Sequence, residues 1–227
     1  MHPTIKVVAE FDEEVNTEEM GVPVHQVKEF APSFSFGCSI SSLPYLAMAL
    51  LDHPAQMVSL DSSWRRMAVY YAMIVPQGRG TVQVLPGCRD PLVRFHVPDE
   101  DLRMLSTALK KLGQLLFAAG AKRLYPGISS FGSIDSAADL NRIPLLLPPD
   151  RTALMSIHLF STCPMGEDKS RCPIDSLGRV RGINGLHIAD ASMLPSAPGV
   201  NPQGTIMALA RRNALCFASR MNQHLPC

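Results

Sequence analysis

Between Pro98 and Gly120 the sequence commits itself to one local structure more firmly than anywhere else. Leu102, Leu105, Leu109, Leu112, Leu115 and Leu116 recur at the three-and-four spacing that gathers apolar side chains on one side of an α-helix. Asp99, Glu100 and Asp101 fall in the first turn, where the positive end of the helix dipole favours acids, and Gly120 follows the end. A helix with one leucine face must lay that face on another apolar surface. The rest of the chain therefore has to supply such a surface.

A sheet is the surface on offer. Residues 4 to 11 alternate as a strand does, and Asp12-Glu13-Glu14 breaks the run. Val24 to Phe30 and Phe34 to Ile40 are further strand candidates, separated by Ala31-Pro32-Ser33. Ser42 is placed to cap a short helix over Leu43 to Leu51, which Asp52-His53-Pro54 ends. Arg66 to Val75, Thr81 to Leu85 and Pro91 to His96 read as three successive strands joined by Gly/Pro turns, which implies an antiparallel sheet. Gly78-Arg79-Gly80 is one of those turns, since neither a further glycine nor a lysine follows at the offset a phosphate loop needs. Residues 121 to 150 read as a looser connection ending in Pro144-Leu145-Leu146-Leu147-Pro148, the Leu triplet being a buried turn. The fold class expected is α+β, an antiparallel sheet with covering helices.

Several function classes are excluded early. With 21 basic and 20 acidic side chains in 227 residues, and no long run of one sign, nothing points to nucleic acid. The longest apolar runs, such as Tyr45 to Leu51, fall far short of the roughly 20 residues of a membrane span. Met1-His2-Pro3 does not open a secretory signal, so a soluble, by default cytoplasmic, protein is expected. Six cysteines (Cys38, Cys88, Cys163, Cys172, Cys216, Cys227) are dispersed without a Cys-x-x-Cys pair, and reduced thiols are expected. His158, Cys163 and Cys172 offer three soft-metal ligands but no evident fourth. His25 and His53 stand without partners and read as surface or capping histidines.

The chemistry gathers between Ile157 and Arg220. His158 has an imidazole that can accept a proton near neutral pH, although between Ile157 and Leu159 it could equally be a satisfied core residue. Residues 175 to 190 run through glycine turns into a short apolar strand that delivers Asp190, followed by small Ala191 and Ser192. Such a carboxylate can hydrogen-bond a sugar hydroxyl, or it can cap a turn. Asn201 and Pro202 have the grammar of a helix start, with Ile206, Leu209 and Ala210 behind them. Free N–H groups at that end suit an electron-rich ligand.

Three ordered blocks carry a resemblance: His158 with Ser161-Thr162-Cys163-Pro164-Met165-Gly166, Gly185-Leu186-His187-Ile188-Ala189-Asp190-Ala191-Ser192-Met193-Leu194-Pro195, and Gly199 through Ala210. Together they resemble the C-terminal signature of the glucose-methanol-choline (GMC) flavoprotein oxidoreductases, and Gly78 to Gly120 resembles that family's substrate-binding region. The resemblance implies FAD and the oxidation of a small-molecule alcohol by hydride transfer to the flavin. It makes His158 and Asn201 the catalytic pair, the first taking the hydroxyl proton and the second bonding the same oxygen. Asp190 and Ala191 would lie along the cofactor's ribityl and pyrophosphate portion, with Asn201, Pro202, Gln203 and Gly204 against its ring.

Family members open with a glycine-rich turn that grips the ADP half of FAD, and no Gly-x-Gly-x-x-Gly occurs here. The resemblance therefore implies a missing N-terminal FAD-binding half, supplied in cis or as another chain. The expected organisation is residues 1–22 as a fragment of the FAD-binding domain, 23–150 as the substrate-binding domain, and 151–227 as the C-terminal flavin-contacting portion of the FAD-binding α/β domain. A non-catalytic binding protein that kept the fold, and a Cys/His metal module, stand as alternatives.

Overall fold

The computed structural model describes residues 1–156 and 158–223, with side chains described through Ser219. Ile157 and Cys227 lie outside the described residues. The chain divides into two compact units, one of residues 2–81 and 93–156, the other of residue 1 with 82–92 and 157–227.

The first unit is built on an antiparallel sheet of β1 (Thr4–Glu10), β2 (Gln26–Val27), β3 (Phe34–Cys38), β4 (Met67–Ile74), β7 (Arg123–Pro126) and β8 (Leu154–Met155). The order is β2-β3-β4-β1-β7, and β8 also pairs with β1. The run Val7-Val8-Ala9 is buried on both faces because β1 is an inner strand, paired with β4 from Thr4↔Met73 to Glu10↔Met67 and with β7 on its other side. The strand period of two then sorts the side chains. Ile5, Val7, Ala9, Phe34, Phe36, Ala72 and Ile74 form one face, and Val8, Met67 and Val69 belong to the other.

Short helices α1 (Leu43–Ala49), α2 (Pro54–Val58) and α3 (Leu60–Ser63) follow β3, and Leu46, Leu50 and Leu60 pack with Val8, Val69 and Tyr125. The opposite face takes the long helix α4 (Asp99–Ala118). Leu102, Leu105, Leu109, Leu112 and Leu116 are all buried against the sheet. Each such burial is worth about 1.5–3 kcal/mol relative to exposure. Leu115, expected on the same face, sits at its rim and is 43% exposed. Gly120 ends the helix at φ +94°, which a glycine adopts without a Cβ clash. There Ala121 N–H donates to Leu116 O and Gly120 N–H to Phe117 O. The result is an α+β unit in which helices cover an antiparallel sheet.

Several expectations change in detail. Residues 1–22 are expected with 151–227, yet β1 is central to the sheet of the first unit, because an apolar strand with both edges free finds partners in β4 and β7. Val24 to Phe30 yields only the two-residue β2. Ser42 precedes α1 without a side-chain capping bond, and its Pro44 takes the first turn. The segment 121–150 is no mere connection, since it contributes β7 and a 3₁₀ turn over Ala138–Arg142. Within the Leu triplet, Leu147 is buried but Leu145 is 81% exposed.

The strands after β4 do not extend the main sheet either. β5 (Gly80–Gln83) and β6 (Leu92–Phe95) pair only with each other. Buried Asp101 explains the break: its carboxylate accepts from Gln77 N–H at 2.8 Å and Gly78 N–H at 2.9 Å, which pins the chain leaving β4 to the start of α4. A Cβ at Gly78 would clash with His96 O and the Pro98 ring. His53 is buried, with Nε2 2.7 Å from Pro126 O, while His25 is exposed.

Candidate functional site

All the candidate site residues fall in the second unit. His158 lies in a segment without regular secondary structure that leads into a hydrogen-bonded track. Cys163 N–H donates to Ser192 O at 3.1 Å, Met165 N–H to Met193 O at 2.9 Å, and the Ser161 hydroxyl to Leu194 O at 2.7 Å. The block that begins at His158 is thereby stitched to the block that carries Asp190. Ser161 takes φ +70°, a conformation that costs a non-glycine residue about 1–3 kcal/mol. Its hydroxyl bond offsets part of that cost.

The His158 ring is half-buried and stacked near Phe160, with centroids 6.3 Å apart. Burial penalises its charged form and pushes its pKa below the ordinary value. The imidazole is therefore neutral at pH 7, the state in which one ring nitrogen can accept a proton.

Asp190 stands at the start of a 3₁₀ turn over Ala191–Met193 and is exposed. Its Oδ1 accepts from Ser192 N–H at 2.8 Å and from the Ser192 hydroxyl at 2.5 Å. The capping geometry open to it from the sequence is thus present, and both bonds use one carboxylate oxygen. Ala191 is half-buried beside it.

The third block forms α5 (Gln203–Gln223). Asn201, expected at the cap, precedes the helix, because Pro202 O accepts the first helical bond from Ile206 N–H at 2.9 Å. Asn201, Gln203 and Gly204 are exposed, whereas Pro202 is buried. No acid occupies the first turn, and a Cβ at Gly204 would meet nothing within 4 Å. This helix end is exposed at Gln203 and Gly204, and its first turn carries no competing acid.

The residue that anchors α5 carries no mark in the sequence. Asn213 is buried, its Nδ2 lies 3.4 Å from Met193 Sδ, and a Cβ at Gly178 would strike its amide. Gly178, at φ +78°, belongs to a tight turn around Asp175, whose carboxylate accepts from Leu177 N–H, Arg179 N–H and the Arg179 guanidinium. Arg212 reaches Ser176 O from the same part of α5. An asparagine followed by no motif gives no sequence signal, so only the packing identifies it. A cavity of about 380 Å³ lies alongside, lined by Leu186, His187, Ile188, Asn213, Ala214 and Phe217 among others. Neither His158 nor Asn201 lines it.

Among the described residues no group of three or more His, Cys, Asp and Glu is arranged to hold a metal ion. The cysteines among them are free thiols. No helix among them is long and apolar enough to cross a membrane.

A half-buried neutral histidine, a turn-held aspartate and an open helix start, tied into one unit, define a class, and the comparisons with known proteins identify it. The sequence profile of the family described as GMC oxidoreductase matches residues 76–210. The chain belongs to the GMC oxidoreductase family, a family of flavin-dependent oxidoreductases. It is 44% identical over 217 residues to an uncharacterized GMC-type oxidoreductase of Sinorhizobium fredii, a match that covers 94% of this chain and 43% of the relative. A second uncharacterized GMC-type oxidoreductase, from Mycobacterium tuberculosis, is 32% identical over 92% of this chain and 33% of its own length.

Solved structures agree in fold. Pyridoxine 4-oxidase from Mesorbium loti superposes with a TM-score of 0.61 at 16% identity, over 99% of this chain and 43% of the other. Formate oxidase superposes with a TM-score of 0.68 at 15% identity, over 98% of this chain and 47% of the other. The chain thus spans less than half the length of the relatives and structures it matches.

Proposed function

We propose that this chain is the C-terminal part of an FAD-dependent oxidoreductase acting on CH–OH donors, which turns over when combined with an N-terminal FAD-binding half in cis or in another chain. The observation that carries the reading is the hydrogen-bonded union, within one unit, of the segment after His158 with the Asp190 turn, on which the middle of α5 is anchored through Asn213. The chemistry that a bound FAD supplies is hydride acceptance. The residues present fit one end of that cofactor. Gln203 and Gly204 offer N–H groups at a positive helix end with open space in front of Gly204 and no acid in the first turn, the environment that stabilises negative charge on a reduced ring. The free Oδ2 side of Asp190, next to small Ala191, suits a ribityl hydroxyl.

His158 accepts the proton of the substrate hydroxyl, and Asn201 bonds the same oxygen and orients it. Pro202 lacks an N–H and shapes the turn from Asn201 into α5. Residues 23–150 hold the substrate, residues 151–227 meet the flavin, and residues 1–22 contribute their central strand to the sheet of the first. The apolar residues left exposed on α5, Met207 at 63%, Leu215 at 52% and Phe217 at 44%, support the presence of a covering partner segment.

The test is to fuse this chain behind the N-terminal portion of the Sinorhizobium fredii relative. The fusion is expected to purify yellow and to bleach anaerobically when its alcohol is added. His158→Ala is expected to retain the flavin but lose the bleaching. Bleaching at an undiminished rate in His158→Ala would remove the proposed role.

A further inference from the structure

On the face of the main sheet opposite α4, Thr4, Ser35 and Met73 are buried, while Lys6 and Tyr71 are half-buried. The half around Val8, Met67, Val69 and Tyr125 is packed beneath α1 to α3. In the other half the strand register sets Lys6 of β1 beside Tyr71 of β4, and Tyr71 beside Gly37 of β3. These three residues share a face, since directly paired positions in antiparallel strands point the same way.

Lys6 is unusual there. It occupies the middle of an inner strand, where a β-branched or aromatic residue is the norm, and it is half-buried. Among the described residues no carboxylate pairs with its ammonium. The acid of β1 on that face, Glu10, lies four residues away, about 13 Å along a strand, and accepts from the Tyr125 hydroxyl at 2.7 Å. Burial without a partner lowers the proton affinity of Lys6. Partial desolvation of an ammonium without a carboxylate partner carries a cost that an anionic ligand would offset.

Tyr71 completes the arrangement. The outer half of its ring lies across Gly37, so closely that a Cβ at that position would collide with the hydroxyl and with Cζ. Glycine in β3 therefore lets the phenol ring lie over the sheet as a platform. Together the two residues offer a flat π surface and, at its β1 side, one partly desolvated positive charge.

We propose that Lys6 and Tyr71 recognise a carboxylate-bearing alcohol, the ammonium holding the carboxylate and the phenol ring supporting the planar body attached to it. One ammonium balances one negative charge, which fits a carboxylate and leaves a phosphate dianion half-neutralised. The inference rests on reading this unit as the substrate-holding part of an alcohol-oxidising enzyme and names the class of its substrate.

The test uses the whole chain without flavin, titrated by calorimetry and amide NMR with 4-(hydroxymethyl)benzoate and with the neutral 4-methylbenzyl alcohol. The carboxylate probe is expected to bind at least about tenfold more tightly, a difference of 1.4 kcal/mol, and to shift the amide signals of Lys6 and Tyr71. Lys6→Met is expected to abolish that preference, and Lys6→Arg to keep it, in variants with unchanged thermal midpoints. Where Lys6→Met does not fold, the wild-type shift map alone separates the outcomes. Equal affinities, absence of carboxylate binding, shifts confined to other residues, or a preference that survives in Lys6→Met would each overturn the proposal. Since neither flavin nor turnover enters the measurement, such a failure leaves the flavoenzyme reading standing, and failure of that reading leaves this binding result intact.

Discussion

His158 is the general base of the proposed function, and its environment fixes the sign of the pH dependence expected of that role. Burial lowers its pKa from the ordinary value near 6.5. NMR titration of its ring protons in this chain is expected to give a midpoint below 6.5. In the fused enzyme, kcat/KM should then fall on the acid side with an apparent pKa below 6.5 and be flat through neutrality. Stability follows the same direction, because the unfolded chain binds the proton first: the contribution is absent well above pH 6.5, and a penalty grows as the pH falls below about 6.5 and levels off once the pH is below the lowered folded-state value. His158→Ala is expected to cut kcat by about 10²–10⁴, the usual worth of a general base. Asn201→Ala, which removes one donor to the reacting oxygen, is expected to cost about 10²-fold, read as kcat at saturating alcohol. The sequence marks both residues as candidates only through the ordered blocks that contain them, Ser161 to Gly166 after His158 and Gly199 to Ala210 around Asn201. Asn213 and Lys6 carry no such mark, since what distinguishes them is burial against partners distant in sequence.

At the scale of elements, periodicity is legible wherever one face is buried over several turns or residues. The leucines of α4 are of this kind, whereas β1 and β4, buried on both faces, are legible as apolar runs. β7 is hidden because four residues, Arg-Leu-Tyr-Pro, cannot establish a period, and its place in the sheet comes from pairing with β1 across more than a hundred residues. The expectation that β5 and β6 continue the main sheet fails on one side chain. Asp101 looks like any acid in a first helical turn, but it is buried and satisfies two backbone N–H groups of the turn after β4. Asp101→Ala strands both donors and is expected to lower stability by about 2–4 kcal/mol in chemical denaturation. Asn213→Ala is expected to act locally, accelerating amide exchange around Gly178 and in the first half of α5 while leaving β1 and β4 protected.

At the scale of the whole molecule, the central claim is that this chain carries one wall of a flavin site. On that claim the wall is built from the His158 segment, the Asp190 turn and α5, and no glycine-rich dinucleotide turn accompanies them in the sequence. Relatives more than twice as long are matched over less than half their length. The true partners of residues 1–22 are illegible from sequence because a lone apolar strand does not announce which sheet it joins; pairing with both β4 and β7 decides it. Titration of the purified 227-residue chain with FAD, followed by anaerobic addition of alcohols, tests the claim most directly. The account predicts weak, substoichiometric flavin binding and no bleaching. A yellow chain with one tightly held flavin that an alcohol bleaches would contradict it.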